Sequence, residues 1–147
     1  MMIFRAEDGA SISDFSVTTK GISVTDLCFS SKSTMIGFGC DDASVGILNM
    51  RIKEVEVILR DHDSGYTVRS VSINCVDSLI ASASSDGELI VNALSFGEPG
   101  SEGLRVRRIF RDRSMHSPIT MVRFSNTKRH ILATAYENGT VAVWDLQ

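Results

Sequence analysis

Apolar and polar residues alternate with period two along short stretches of this chain, the spacing that turns one face of a β-strand toward a core and the other toward solvent. Such stretches begin at Val24 (VTDLCFS), Thr67 (TVRSVSI) and Ile119 (ITMVRFS). Each is followed by a run that ends in small residues: TMIGFGC from Thr34, SLIASAS from Ser78 and HILATAY from His130. A tight Asp-Asp-Ala, Asp-Gly or Asn-Gly turn comes next, then a third apolar run. A fourth, more polar run closes the unit as EVEVILR from Glu54 and LRVRRIFR from Leu104, with ISDFSV from Ile12 as an earlier copy. Asp-Gly and Asn-Gly favour hairpins because both central residues tolerate positive φ. No segment has helical spacing.

The order repeats along the chain. DASVGILNM from Asp42, DGELIVNAL from Asp86 and NGTVAVWDL from Asn138 superimpose without gaps, 44 and then 52 positions apart. The longer spacing is explained by a loop-like insertion, SFGEPGSEG, at residues 95–103. Four antiparallel strands in about 44 residues is the pattern of one propeller blade. The expected fold is therefore all-β, with about three four-stranded antiparallel repeats. Residues 1–20 read as the end of a preceding blade, 21–61 as a blade, 62–113 as a blade with the insertion, and 114–147 as a blade lacking its last strand.

These residues resemble the WD-repeat family. Trp144-Asp145 closes the third copy, Asp61-His62 and Met115-His116 stand where the family places a Gly-His pair, and Asp42, Asp86 and Asn138 hold the turns. The resemblance implies a hydrogen-bonded set of His, Ser or Thr, turn Asp and Trp within each blade. His116, Thr134, Asn138 and Trp144 supply it in the third copy; the second has His62, Ser82 and Asp86 but Asn92 in the Trp place, and the first keeps little beyond Asp42. Propellers have about four to eight blades, so closure is expected to need remaining blades or self-association. The resemblance also places Asp41, Ser85 and Glu137, just before the turns, on a partner-binding rim together with the loops DHDSGYT and RDRSMHSP. Tyr66 reads there either as an aromatic anchor for a partner or as a side chain packed over the blade end.

More narrowly, RDHDSGYTVRSVSI, SLIASASSDGELIVNAL with the insertion after it, and TKRHILATAYENGTVAVWDL are similar to centrosomal WD-repeat adaptors that recruit the γ-tubulin ring complex. That likeness implies a non-catalytic scaffold for centrosomal or spindle protein partners in microtubule nucleation. The competing expectation is a substrate-recognition propeller of a ubiquitin ligase or another regulatory scaffold.

Composition narrows the functional classes. A net charge of −3 disfavours a general nucleic-acid binder. No run approaches the roughly 20 apolar residues of a membrane span, and MMIFRAEDG lacks the layout of a secretory signal. The expected location is cytoplasmic, at the centrosome or spindle. Cys28, Cys40 and Cys75 sit singly in apolar runs and read as reduced, buried thiols.

No nucleophile stands beside a base, and His62, His116 and His130 have no second ligand at metal spacing, so no enzyme activity, metal or cofactor is expected. His62 and His116 read instead as donors to the turn Asp or Asn, and His130 as a solvated residue opening a strand. Arg105, Arg107, Arg108, Arg111 and Arg113 cluster in LRVRRIFRDRS, on and just after the predicted outermost strand LRVRRIFR. They serve either to block edge pairing or as a patch for an acidic partner or RNA, with Arg111 and Arg113 nearest the rim.

Overall fold

The computed structural model describes residues 2–14, 21–97 and 103–147, and every regular element in them is a strand. Strands β1 (Met2–Phe4) and β2 (Ser11–Asp14) form an antiparallel pair. A first sheet follows in chain order from β3 (Val24–Phe29) through β4 (Met35–Cys40) and β5 (Val45–Asn49) to β6 (Glu54–Leu59). A second runs likewise through β7 (Val68–Ile73), β8 (Leu79–Ser84), β9 (Leu89–Ser95) and β10 (Arg105–Asp112). The third contains β11 (Ile119–Phe124), β12 (Ile131–Tyr136) and β13 (Val141–Asp145). Residues 15–17 of the expected ISDFSV strand and residues 98–102 of the insertion lie outside the described residues.

The same turn chemistry makes all three β-hairpins between second and third strands. Asp42, Asp86 and Asn138 each accept, through Oδ1, the amide two residues on: Ser44 at 3.1 Å, Glu88 at 3.1 Å and Thr140 at 3.0 Å. The residue between has positive φ in every case, 68° at Ala43, 87° at Gly87 and 85° at Gly139. Only Ala43 carries a Cβ there, a conformation that costs an L-residue free energy. At Gly87 a Cβ would also lie 2.6 Å from the Ser117 carbonyl oxygen, so the turn can press against the loop that enters the third sheet.

The sheets stack face to face. Met35, Val45 and Ile47 of the first pack against Val68, Val71 and Ile80 of the second. Leu89 and Val91 of the second pack against Ile119, Val122 and Leu132 of the third. Burial of this kind is worth about 1.5–3 kcal/mol for each large aliphatic side chain, which makes the boundaries between sheets the main core of the molecule.

Strands β3, β7 and β11 lie side by side, and each is an edge of its own sheet. Amides on such an edge need partners from elsewhere. Side chains of neighbouring sheets provide them: Asp26 accepts the Val71 amide at 2.9 Å, Ser70 the Val122 amide at 3.2 Å, and Ser72 the Phe124 amide at 3.0 Å. This arrangement is a partial β-propeller. Its open side is marked by Val141 and Val143, each 69% exposed, at the register positions where the second sheet buries Leu89 and Val91 against its successor.

Candidate docking rim

The loops between sheets and the turns after β4, β8 and β12 lie at one end of the strands, and this end holds most of the residues singled out from the sequence. In the second sheet the tie runs through four segments. His62, on the loop entering the sheet, has Nε2 2.8 Å from Ser82 Oγ on β8 and Nδ1 3.1 Å from Glu88 Oε2 just before β9. Arg111 on β10 donates to the other oxygen of the same carboxylate. The side chains of His62 and Glu88 are each 1% exposed. Burial lowers the His62 pKa, and the Glu88 charge opposes that shift without reversing it. A neutral imidazole facing a carboxylate through Nδ1 must donate from that nitrogen, which leaves Nε2 to accept the Ser82 hydroxyl proton.

The partner of His62 is therefore Glu88, where the expectation was the turn residue Asp86. Asp86 is occupied otherwise: it shapes its own turn and pairs with Arg113. The reason is distance along the hairpin. The Asp86 carboxylate folds back onto the Glu88 amide, and the Glu88 side chain, two residues further on, points into the sheet. Glu88 was missed from the sequence, although its alignment with Ser44 and Thr140 marks it as the charged member of a buried position.

In the third sheet the tie takes another form. Trp144 Nε1 donates to Thr134 Oγ1 at 2.9 Å. His116 does not join: it is exposed, sits at φ 47°, and makes no hydrogen bond to Thr134 or Asn138. Thr134 and Ser82 occupy matching positions, opposite Ala142 and Ile90. One hydroxyl site is thus reached by a loop His in one sheet and by a strand Trp in the next. Asn92 stands where Trp144 does but makes no bond to Ser82, and its Oδ1 is buried without a partner among the described residues. The first sheet dispenses with the polar tie. Phe38 takes the hydroxyl position opposite Gly46, and a Cβ on Gly46 would come within 2.1 Å of the Phe38 ring.

Asp42 accepts from Ser44 and pairs with Arg60 at 3.1 Å, an arrangement that Asp86 and Arg113 repeat one sheet later. Burial acts to raise the Asp42 pKa, but its bonds from Ser44 and Arg60 outweigh this and hold the carboxyl below its ordinary value. The residues before the turns also serve the sheets. Asp41 Oδ1 accepts the Ser23 amide at 2.9 Å, Ser85 Oγ accepts the Thr67 amide at 3.0 Å, and Glu137 pairs with Arg69 across the boundary between second and third sheets.

Three of the five clustered arginines are paired with carboxylates of the same molecule. Arg108 faces Asp61, Arg111 lies beside Glu88 and Asp63, and Arg113 pairs with Asp63 and Asp86. The large apolar side chains that the rim exposes, among the described residues, are Tyr66, at 45%, and Met115, beside paired ionic groups that are themselves partly exposed. Sequence reading also missed Arg123 on β11, which donates to Ser70 at 2.8 Å and pairs with Asp26 at 3.5 Å across three neighbouring strands.

His130 is half-buried rather than solvated, 3.9 Å from Asp145. The cysteines are free, with Cys40 buried and Cys28 and Cys75 partly exposed. Burial, aided by the nearby Asp26 charge, pushes the Cys28 thiol up to about 11. No group of three His, Cys, Asp or Glu residues that could hold a metal ion occurs among the described residues.

Residues 53–91 and 108–145 match the family model described as WD domain, G-beta repeat. Among solved structures, a chain in the crystal structure of the mitotic checkpoint complex superimposes with a TM-score of 0.76 at 16% identity, over 99% of this chain and 41% of its own. The β-propeller domain of Cps50 (Swd1) from Myceliophteria thermophila gives 0.62 at 18% identity, over 84% of this chain and 36% of its own. The chain spans less than half the length of either, and at these identities the likeness concerns the fold. The matched residues make up just over half of the chain, spanning the last strand of the first sheet, most of the second and the third, and the first sheet repeats the same strand order and turns; the chain belongs to the WD-repeat family of β-propellers.

Proposed function

We propose that this chain is the docking platform of a cytoplasmic adaptor at the centrosome or spindle, recruiting the γ-tubulin ring complex for microtubule nucleation without catalysing a reaction. The WD-repeat family supplies the coarser part, a scaffold for protein interaction. The observation that carries the docking reading is the division of labour on the rim: its ionic groups are tied to one another, while Tyr66 and Met115 stand exposed. A rigid, internally paired frame with protruding apolar side chains suits protein contact, because an exposed Tyr offers large area at small entropic cost. The centrosomal assignment is supported by the sequence similarity of RDHDSGYTVRSVSI and the segments after it.

Affinity purification of the full-length protein tests both parts. Enrichment of γ-tubulin ring components, diminished by Tyr66→Ala, is the expected result. Recovery of cullin-type ligase subunits in their place would favour the ubiquitin-ligase reading and reject the adaptor.

A further inference from the structure

The end of the strands opposite the rim holds a groove that the function above does not use. It has a volume of ≈ 360 Å³ and lies between the first and second sheets, where the β3–β4 and β5–β6 turns meet the β7–β8 turn and the end of β9. Lys32 and Arg51 line one side; Val76 and Phe96, 53% and 58% exposed, line the other. Among the described residues neither cation has a carboxylate within ion-pair distance, although the chain as a whole is acidic. The acidic residue in the lining, Asp77, is turned away to its own partners: its carboxylate accepts the Ser31 amide at 2.6 Å, the Ser31 hydroxyl at 3.0 Å and the Lys32 amide at 3.4 Å.

Elsewhere in the molecule arginines are mostly spent on internal pairs, as Arg60, Arg69, Arg111 and Arg113 show. Two unspent cations facing two exposed apolar side chains across a concave surface therefore constitute an unfilled complementarity. The next boundary repeats the chemistry at the same end: a groove of ≈ 310 Å³ between the second and third sheets is lined by Arg129 and by Ile109, which is 41% exposed.

We propose that the groove at Lys32, Arg51, Val76 and Phe96 is a second docking surface, on the face opposite the rim, for an acidic peptide segment that carries a bulky apolar side chain. Carboxylates of the segment pair with Lys32 and Arg51, and its apolar side chain lies against Val76 and Phe96. A peptide fits better than a nucleic acid strand because Phe96 is the sole aromatic ring in the lining among the described residues, and strands are held by successive stacked bases. The assignment stands independently of which protein occupies the rim.

The test uses the full-length protein and a fluorescein-labelled peptide of Asp and Glu residues with a central Leu-Phe pair. Fluorescence anisotropy is expected to show saturable binding that weakens with added salt. Lys32→Glu/Arg51→Glu and, separately, Phe96→Ala are expected to weaken it by about tenfold or more, with an unchanged melting temperature because all three side chains are exposed. A benzophenone-bearing version of the peptide should crosslink to residues 32–35, 49–51, 76–77 or 96. Equal binding by the charge-reversed variant, crosslinks confined to other blades, absence of saturable binding, or tighter binding of a single-stranded oligonucleotide through the same residues would each overturn the proposal.

Discussion

Phe110 and Trp144 meet edge to face across the boundary between the second and third sheets, with ring centroids 5.5 Å apart and planes at 61°. Phe110 comes from the outer strand β10 and Trp144 from β13, so the contact ties the outer strand of one sheet to the last strand of the next. Trp144 also donates to Thr134 in its own sheet. One side chain therefore carries both an internal tie and a boundary contact, and the two can be separated experimentally.

Trp144→Phe keeps an aromatic ring at the boundary and removes the N–H. Its expected cost is about 1 kcal/mol, the net value of one hydrogen bond. Phe110→Ala removes the ring contact and leaves the Thr134 bond in place, at an expected cost of about 3 kcal/mol, the lower end for loss of a large aromatic. Denaturant titration of the full-length protein checks both, and a larger loss for Trp144→Phe than for Phe110→Ala would contradict this division.

The buried tie of the second sheet predicts a pH dependence. Burial sets the folded pKa of His62 below its ordinary 6.5, so as pH falls through that range the unfolded chain takes up a proton that the folded chain refuses. The resulting stability is fully present above the unfolded value and declines below it. Melting temperature is expected to fall between about pH 7 and pH 5, and His62→Gln to flatten that fall. Parallel curves for the two proteins would assign the titration to another group.

Glu88→Ala leaves Arg111 and the buried His62 without their shared acceptor. Removing one partner of a buried ionic set costs about 3–5 kcal/mol, and the exposure of Arg111 to water places the expected loss toward the lower figure. Asp86→Ala, which breaks an Arg113 pair and a turn bond, is expected to cost less. Thermal melts of the two variants side by side decide the order.

In the first sheet the close approach of Phe38 to the backbone makes Gly46 intolerant of any side chain. Gly46→Ala is expected to destabilise by about 1–3 kcal/mol through overpacking, and Phe38→Leu in the same chain to recover part of that loss by vacating the space. A double-mutant cycle reads the coupling directly, and purely additive losses would show that the clash is relieved some other way.

Between Asp26 and the edge of β7 lies a contact that holds neighbouring blades without any apolar surface. Asp26→Ala removes the acceptor of the Val71 amide and of the Ser70 hydroxyl and takes from Arg123 its carboxylate partner, leaving its bond to Ser70. The expected cost is about 1–3 kcal/mol, that of an amide left unsatisfied, with faster amide hydrogen exchange at Val71. Unchanged exchange there would show that water replaces the carboxylate.

Strand order, the hairpin turns and the repeat were legible in the chain itself because each depends on neighbours in sequence. A period of two places alternate side chains on opposite faces whatever surrounds them, and Asp42, Asp86 and Asn138 close their turns with the amide two residues away. The hydroxyl positions Ser82 and Thr134 were equally visible by alignment. The family resemblance grouped Ser82 with His62 and Thr134 with Trp144, and both bonds form; which member of each set makes the bond was not legible, for Ser82 is reached from 20 residues upstream by His62 and Thr134 from 10 residues downstream by Trp144, without His116. That choice follows from side-chain length and from which neighbour the sheet brings within about 3 Å. Glu88 in place of Asp86, the exposure of His116, the pairing of the arginines and the groove beside Lys32 were likewise decided by tertiary structure, because burial and charge compensation depend on residues far apart in sequence that only the stacked sheets bring together.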